Sequence, residues 1–224
     1  MTFSIAARCA RTGMFGIAIT TSSIAVGSRC AYARSKVGAV LTQHRTDPRL
    51  GPLGIELLAG GKTAAETVAA MAASTEHARW RQLAAVDAHG HTAHFSGEAI
   101  ISHHGGATAK DCVAIGNVLR SPRIPEAMVW SFNESDTEQP LATRLLRALA
   151  AGDAAGGEVK PLLSAALLVV HDQSFPYIDL RVDSAADPIG ALTTLWHEYE
   201  KEADLIVTRA LDPDSAGPAT PPPS

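Results

Sequence analysis

Thr2-Phe-Ser-Ile-Ala-Ala7, followed after a turn by Phe15-Gly-Ile-Ala-Ile-Thr-Thr21, decides the fold. In the first segment Thr2, Ser4 and Ala6 fall on one face and Phe3, Ile5 and Ala7 on the other, the two-residue period of a strand. Arg11-Thr12-Gly13 reads as the turn, and residues 15–21 as the hairpin partner. Sheet structure therefore begins at the second residue, although chain ends are loose unless something ties them down.

Outward from this hairpin, residues 36–43 read as a third strand, small and apolar enough to be buried. A short helix follows Pro48 and ends near Gly60-Gly61, and Thr63-Ala-Ala-Glu66 has the spacing of a capping box for a helix to about Ala73. Residues 79–88 and 91–97 form a second hairpin around His89-Gly90, and short strands are expected near 100–103 and 112–115. Helices are expected at 125–132 and 141–151, strands at 162–171 and 177–182, and an amphipathic helix from Pro188 to about Val207. Residues 1–207 then make one domain, and residues 208–224, rich in Pro, Ala and Ser, a disordered tail. Separated hairpins and helix pairs fit an α+β domain of layered antiparallel sheets with helices outside.

Composition narrows the function classes. The chain has 224 residues, 46% hydrophobic and 19% charged, which suffices for a sizeable core and excludes a disordered chain. No apolar run approaches the roughly 18 residues of a membrane span. A net charge of −4 with no Lys/Arg block argues against nucleic-acid binding. Cys9, Cys30 and Cys112 cannot all pair and lack CxxC spacing, so neither a disulfide framework nor a structural zinc is expected. With no signal-peptide pattern, a cytoplasmic location is expected.

Two chemistries remain. His89, His91, His103 and His104 invite a metal-dependent hydrolase, but only His89 and His91 share a strand face, and zinc needs three or four converging ligands; no metal is expected. The other candidate is the N-terminus. Aminopeptidases remove Met1 when the next residue is as small as threonine, which leaves Thr2 with an α-amine titrating at about 7.7–8.0. That amine can accept the hydroxyl proton, so one residue supplies both nucleophile and base.

The chain resembles a bacterial Ntn-hydrolase-like family, domain of unknown function 1028. The likeness is carried by Thr2-Phe-Ser-Ile, Ala25-Val-Gly, Val37-Gly-Ala-Val, Thr42-Gln43, Arg81-Gln82, Phe95-Ser-Gly97, Gly116-Asn117, Ala155-Gly-Gly157, the Ser164 strand and Asp179-Leu-Arg-Val-Asp183. It implies a four-layer αββα sandwich of two antiparallel sheets flanked by helices, with Thr2 as N-terminal nucleophile. By a further resemblance, to proteasome β-type subunits whose third strand begins with a lysine, Lys36 would lower the pKa of the Thr2 pair, or be an exposed strand-end lysine. Asn117 would donate to an oxyanion, or be a turn residue. Ser22, Ser23, Gln43, Arg81, Gln82 and Glu158 would line the substrate site, with structural roles open for Gln43, Arg81 and Gln82. The chain departs from the family at Cys9 and from Glu158 to Leu163, where Glu replaces Asp. The implied activity is cleavage of a C–N bond in a small amide, ureido or peptide-like metabolite, without cofactor, in a homo-oligomer such as a dimer. The competing reading is a non-catalytic ligand-binding or assembly protein on the same fold.

Overall fold

A computed structural model describes residues 1–217. Strand β1 (Thr2–Arg8) pairs antiparallel with β2 (Phe15–Thr21), as its alternation requires. They lie at the centre of a six-stranded sheet completed by β7 (His104–Ala109), β8 (Cys112–Asn117), β9 (Ser164–Val170) and β10 (Ile178–Val182), in the order β10-β9-β2-β1-β8-β7. A second sheet, β3-β4-β5-β6, holds β3 (Ala31–Arg34), β4 (Gly38–Gln43), β5 (Gln82–Asp87) and β6 (Thr92–Ser96). All pairings in both sheets are antiparallel.

The two faces of β1 serve different layers. Phe3, Ile5 and Ala7 pack under α3 (Ile124–Asn133), α4 (Leu141–Ala154) and α5 (Pro188–Tyr199), with Met128, Leu145 and Trp196 among their cluster. Ala6 joins Ile17, Ile19, Leu41, Val86 and Ile115 between the sheets. The outer face of the second sheet packs Val40, Leu83 and Ala85 against Leu50, Ile55, Val68 and Met71 of α1 (Leu50–Ala59) and α2 (Ala64–Ala73). The result is the expected four-layer αββα sandwich. The capping box is also present: Thr63 accepts from the Glu66 N–H, and the Glu66 carboxylate accepts from the Thr63 N–H at 2.9 Å.

Four sequence expectations are corrected. Residues 36–43 are not one strand: the chain first makes the short β3, and Ser35, Lys36 and Val37 form the hairpin tip before β4, with Lys36 at φ 62°. Gly38 suits the start of β4, because at φ 152° a Cβ would meet the Val86 carbonyl oxygen at 2.3 Å. Residues 79–88 open with a 3-10 turn (Ala78–Trp80) before β5. The strand expected at 100–103 lies at His104–Ala109, where a glycine pair hides the β signal; Gly106 is small because the His94 ring packs on it. The last helix is two, because the Glu202 N–H turns back to the Tyr199 carbonyl, and α6 (Ala203–Leu211) runs past residue 207 into the segment read as tail. Residues 218–224 of that tail lie outside the described residues.

Candidate functional site

Directly paired residues in antiparallel strands point to the same face, so the register assembles a row. Across the six-stranded sheet Ser164 pairs with Thr21, Thr2 with Asn117, and Asn117 with His104. Thr21 and Thr2 join the row through hydroxyls 3.3 Å apart. The second sheet ends in a matching row, Gln43 paired with Gln82 and Gln82 with Ser96. Both rows are polar, whereas the inter-sheet space behind them is apolar. They close one end of the sandwich, at the first residue of β1 and the last of β4 and β8.

The rows are cross-linked. Gln43 Nε2 donates to Gln82 Oε1 at 2.8 Å and lies 3.5 Å from the Thr2 carbonyl, and the Ser4 hydroxyl donates to Gln43 Oε1 at 2.8 Å. Gln82 Nε2 donates to the carbonyls of Gly116 (2.9 Å) and Gly105 (3.2 Å) and to the Ser96 hydroxyl (3.0 Å). Asn117 Nδ2 donates to Gln82 Oε1 at 3.0 Å. Ser4, Gln43, Gln82 and Asn117 are fully buried.

Met1 lies in front of Thr2. Its carbonyl accepts from the hydroxyls of both Thr2 and Thr21, and its sulfur sits 3.4 Å from the Ser22 hydroxyl. Burial holds the Met1 amine below its usual pKa, against the opposing charge of Glu158. Glu158 arrives from the other side. The loop after α4, turning through Gly156 and Gly157 at positive φ, bridges to Leu119, and Arg120 donates to the Glu158 carbonyl at 3.0 Å. This fixes Glu158 so that one carboxylate oxygen accepts the Ser22 N–H at 3.1 Å. Its other oxygen, and Asn117 Oδ1, are buried without a partner. Burial pushes the Glu158 carboxyl up to about 7, although the Ser22 hydrogen bond and the Met1 amine pull it down.

Backbone strain gathers at the same end. His44 and Arg45, directly after Gln43, have φ of 55° and 44°, and Val118, directly after Asn117, has φ of 54°. A β-branched residue there is a true outlier, and such strain persists where its surroundings over-determine it. His44 Nδ1 is 2.7 Å from the Trp80 carbonyl and His104 Nδ1 is 2.7 Å from the Ser102 carbonyl, so each Nδ1 carries the hydrogen.

Of the residues expected at the site, Thr2, Asn117, Ser22, Gln43, Gln82 and Glu158 come together. Three are placed otherwise. Ser23 is exposed and accepts from Arg29 at 2.6 Å. Arg81 has its two terminal nitrogens turned to the loop after β4, one tied to the Arg45 carbonyl and the other 3.8 Å from Asp47, while its Nε is buried without a partner. Lys36 is a correction: β4 runs towards Thr2, so a lysine before its first residue sits seven positions from Gln43, about 20 Å at the rise of a strand. There it pairs with Asp172 at 3.6 Å, on a groove of about 620 Å³ that also takes in Tyr32, Arg34 and Leu168. One N–H of the Asn117 NH2 group is taken by Gln82 Oε1, which leaves its second N–H without a partner. Of the departures, Cys9 lies beyond the far end of β1, whereas Glu158 is in the site. Sequence reasoning does not find Thr21, Ser4 and Ser96, and it offers His104 only as a metal ligand; the available signal is polar residues at inward positions near strand ends.

Among the described residues no three His, Cys, Asp or Glu side chains form a group that would hold a metal. No described helix is long and apolar enough to cross a membrane.

The fold that carries the site is a four-layer αββα sandwich whose first strand begins with a buried threonine. The chain belongs to the family of unknown function DUF1028, whose model matches residues 2–192. It is similar to the crystal structure of a Silicibacter pomeroyi protein of that family, with 33% identity, 88% of each chain covered and a TM-score of 0.81. More distantly it is similar to an Anbu Gly-1 mutant from Hyphomicrobium sp. strain MC1 (12% identity, 91% of this chain and 96% of that one, TM-score 0.42). Anbu, an ancestral β-subunit, from Yersinia bercovieri is similar at 11% identity, over 93% and 97% of the chains, with a TM-score of 0.39. No curated protein matches the chain significantly.

Proposed function

We propose that this chain is an amidohydrolase of the N-terminal-nucleophile kind, cleaving a C–N bond in a small amide, ureido or peptide-like molecule through Thr2 once Met1 is removed. The observation that carries this reading is a carbonyl already held at the nucleophile: the Met1 carbonyl accepts from the Thr2 and Thr21 hydroxyls together. With Met1 gone, a substrate carbonyl takes that place. Thr2 Oγ1 attacks its carbon and the Thr2 amine takes the hydroxyl proton. Thr21 donates to the oxygen that becomes negative. The C–N bond breaks as the proton passes to the departing nitrogen, which leaves an ester on Thr2. Water then attacks the ester, the acid departs, and the hydroxyl recovers its proton.

The test is intact mass followed by a β-lactone probe of amidohydrolase nucleophiles. The expected outcome is a chain lacking Met1, a single covalent adduct mapping to Thr2, and no adduct on Thr2→Ala. A chain that keeps Met1 and takes no adduct sinks the proposal and leaves the ligand-binding reading in its place.

A further inference from the structure

The hydrogen-bond network also fixes which atoms the site leaves open. Amide oxygen and nitrogen are assigned from partners, so the chain of partners must be followed from a fixed point. That point is Gln82. Carbonyl oxygens only accept, and two of them, from Gly105 and Gly116, face the same side-chain atom, which is therefore its NH2. The Gln82 oxygen must then face Asn117 and Gln43, and both must offer it their NH2 groups. Asn117 Oδ1 is left over, buried and without a partner. Glu158 reaches the same state independently: the Ser22 N–H takes one oxygen, and the other is unpartnered in a residue 4% exposed. Asn117 Oδ1 is an acceptor, and so is Glu158 Oε1 in the ionised form that a cationic donor favours.

Their residues stand at the end of the sandwich where Met1 sits. Met1 rests on Ser22 and Thr21, Ser22 is bonded to Glu158, and Asn117 is the strand partner of Thr2. Beside two open acceptors lie two hydroxyls that hold a carbonyl. We propose that the ligand of this site is a small molecule whose carbonyl or equivalent carbon is flanked by N–H donors, an amine, amidine or ureido group, received by Glu158 Oε1 and Asn117 Oδ1. A carboxylate-bearing ligand is disfavoured there, because it meets acceptors and an acid side chain. The proposal rests on the reading that the Thr2 end binds the substrate.

The test is isothermal titration of the chain with Thr2 first, using three probes of one length: butylguanidinium, butylurea and pentanoate. Wild type is expected to bind the first two at least about tenfold more tightly than pentanoate, as charge-assisted and paired donors should. In Glu158→Gln the Ser22 N–H keeps the amide oxygen, which turns the new NH2 towards the ligand. Butylguanidinium then weakens about tenfold and pentanoate gains. Equal binding of the three probes to wild type overturns the proposal, as do tighter binding of pentanoate and absence of binding by all three. Equal binding would mean that the freed Thr2 amine satisfies both acceptors. The wild-type ranking stands alone should Glu158→Gln fail to fold. The probe adduct on Thr2 separates the two readings: donor preference without an adduct removes the nucleophile and keeps the ligand class, and an adduct without the preference does the reverse.

Discussion

Asp87 and Glu158 are both carboxylates 4% exposed, yet they stand at opposite ends of the sandwich in opposite states. Asp87, paired with Gly38, accepts from the N–H groups of Ala64 (3.1 Å), His89 (2.9 Å) and His91 (3.0 Å) and lies 3.1 Å from the His91 ring. Burial pushes its carboxyl up, but these hydrogen bonds together outweigh burial and hold it below the usual range. Glu158 has one donor on one oxygen and none on the other, and burial wins. The Asp87 end is a finished joint that ties α2 to the hairpin at His89-Gly90. The Thr2 end has open valences, and a buried polar group left open in a native structure calls for a reason.

The comparison can be broken or sharpened by substitution. Thr2→Ala should have the largest effect, lowering amide turnover by about a thousandfold or more with little change in melting temperature, read by probe labelling and calorimetry. Asp87→Ala should destabilise the fold by about 3–5 kcal/mol, read by urea unfolding, because three backbone donors lose a charged acceptor. A loss below about 1 kcal/mol would mean that this end is no better satisfied than the other. Asn117→Asp sets a carboxylate against Gln82 Oε1 and should cost about 2–3 kcal/mol near neutral pH, relieved in acid where the new group protonates. An unchanged stability would show that the Gln82 amide has turned.

The pH dependence of wild type carries both signs. Asp87, with a depressed pKa, contributes stability above the usual carboxylate range that is lost as pH falls through its folded value. Glu158 titrates near 4.5 unfolded and at about 7 folded, so its neutral form favours the fold and stability declines as pH rises from 4.5 to 7. In the chain that keeps Met1, Glu158→Gln should abolish that decline and gain about 1–2 kcal/mol above pH 7, read by urea unfolding across the window. Lys36→Ala should have the smallest effect, less than about 0.5 kcal/mol and no change in Thr2 labelling, because its pair with Asp172 is exposed.

The sequence made the fold legible where a periodic rule applies. Alternation from Thr2 to Ala7 gave the central strand and both its faces, and the Thr63–Glu66 spacing gave the cap of α2. It failed where packing overrides propensity, at the glycine-bearing β7 and the four-residue β3. At the site, residue types were legible and directions were not. Thr2, Gln43, Gln82, Asn117 and Glu158 stood out, but register along β4 decides that Gln43 and not Lys36 reaches Thr2. Which end of the Asn117 amide is free depends on two glycine carbonyls on neighbouring strands, and no spacing rule encodes that.

Those carbonyls have a wider consequence. Gln82 passes their polarity outward like a one-way valve, and Gln43 and Asn117 can reverse only if Gln82 reverses with them. The two glycine carbonyls therefore hold all three amides in one electrostatic setting. A relative wanting the opposite atom of Asn117 turned to its ligand would change Gln82, one hydrogen bond behind it, whereas Glu158 would have to change separately.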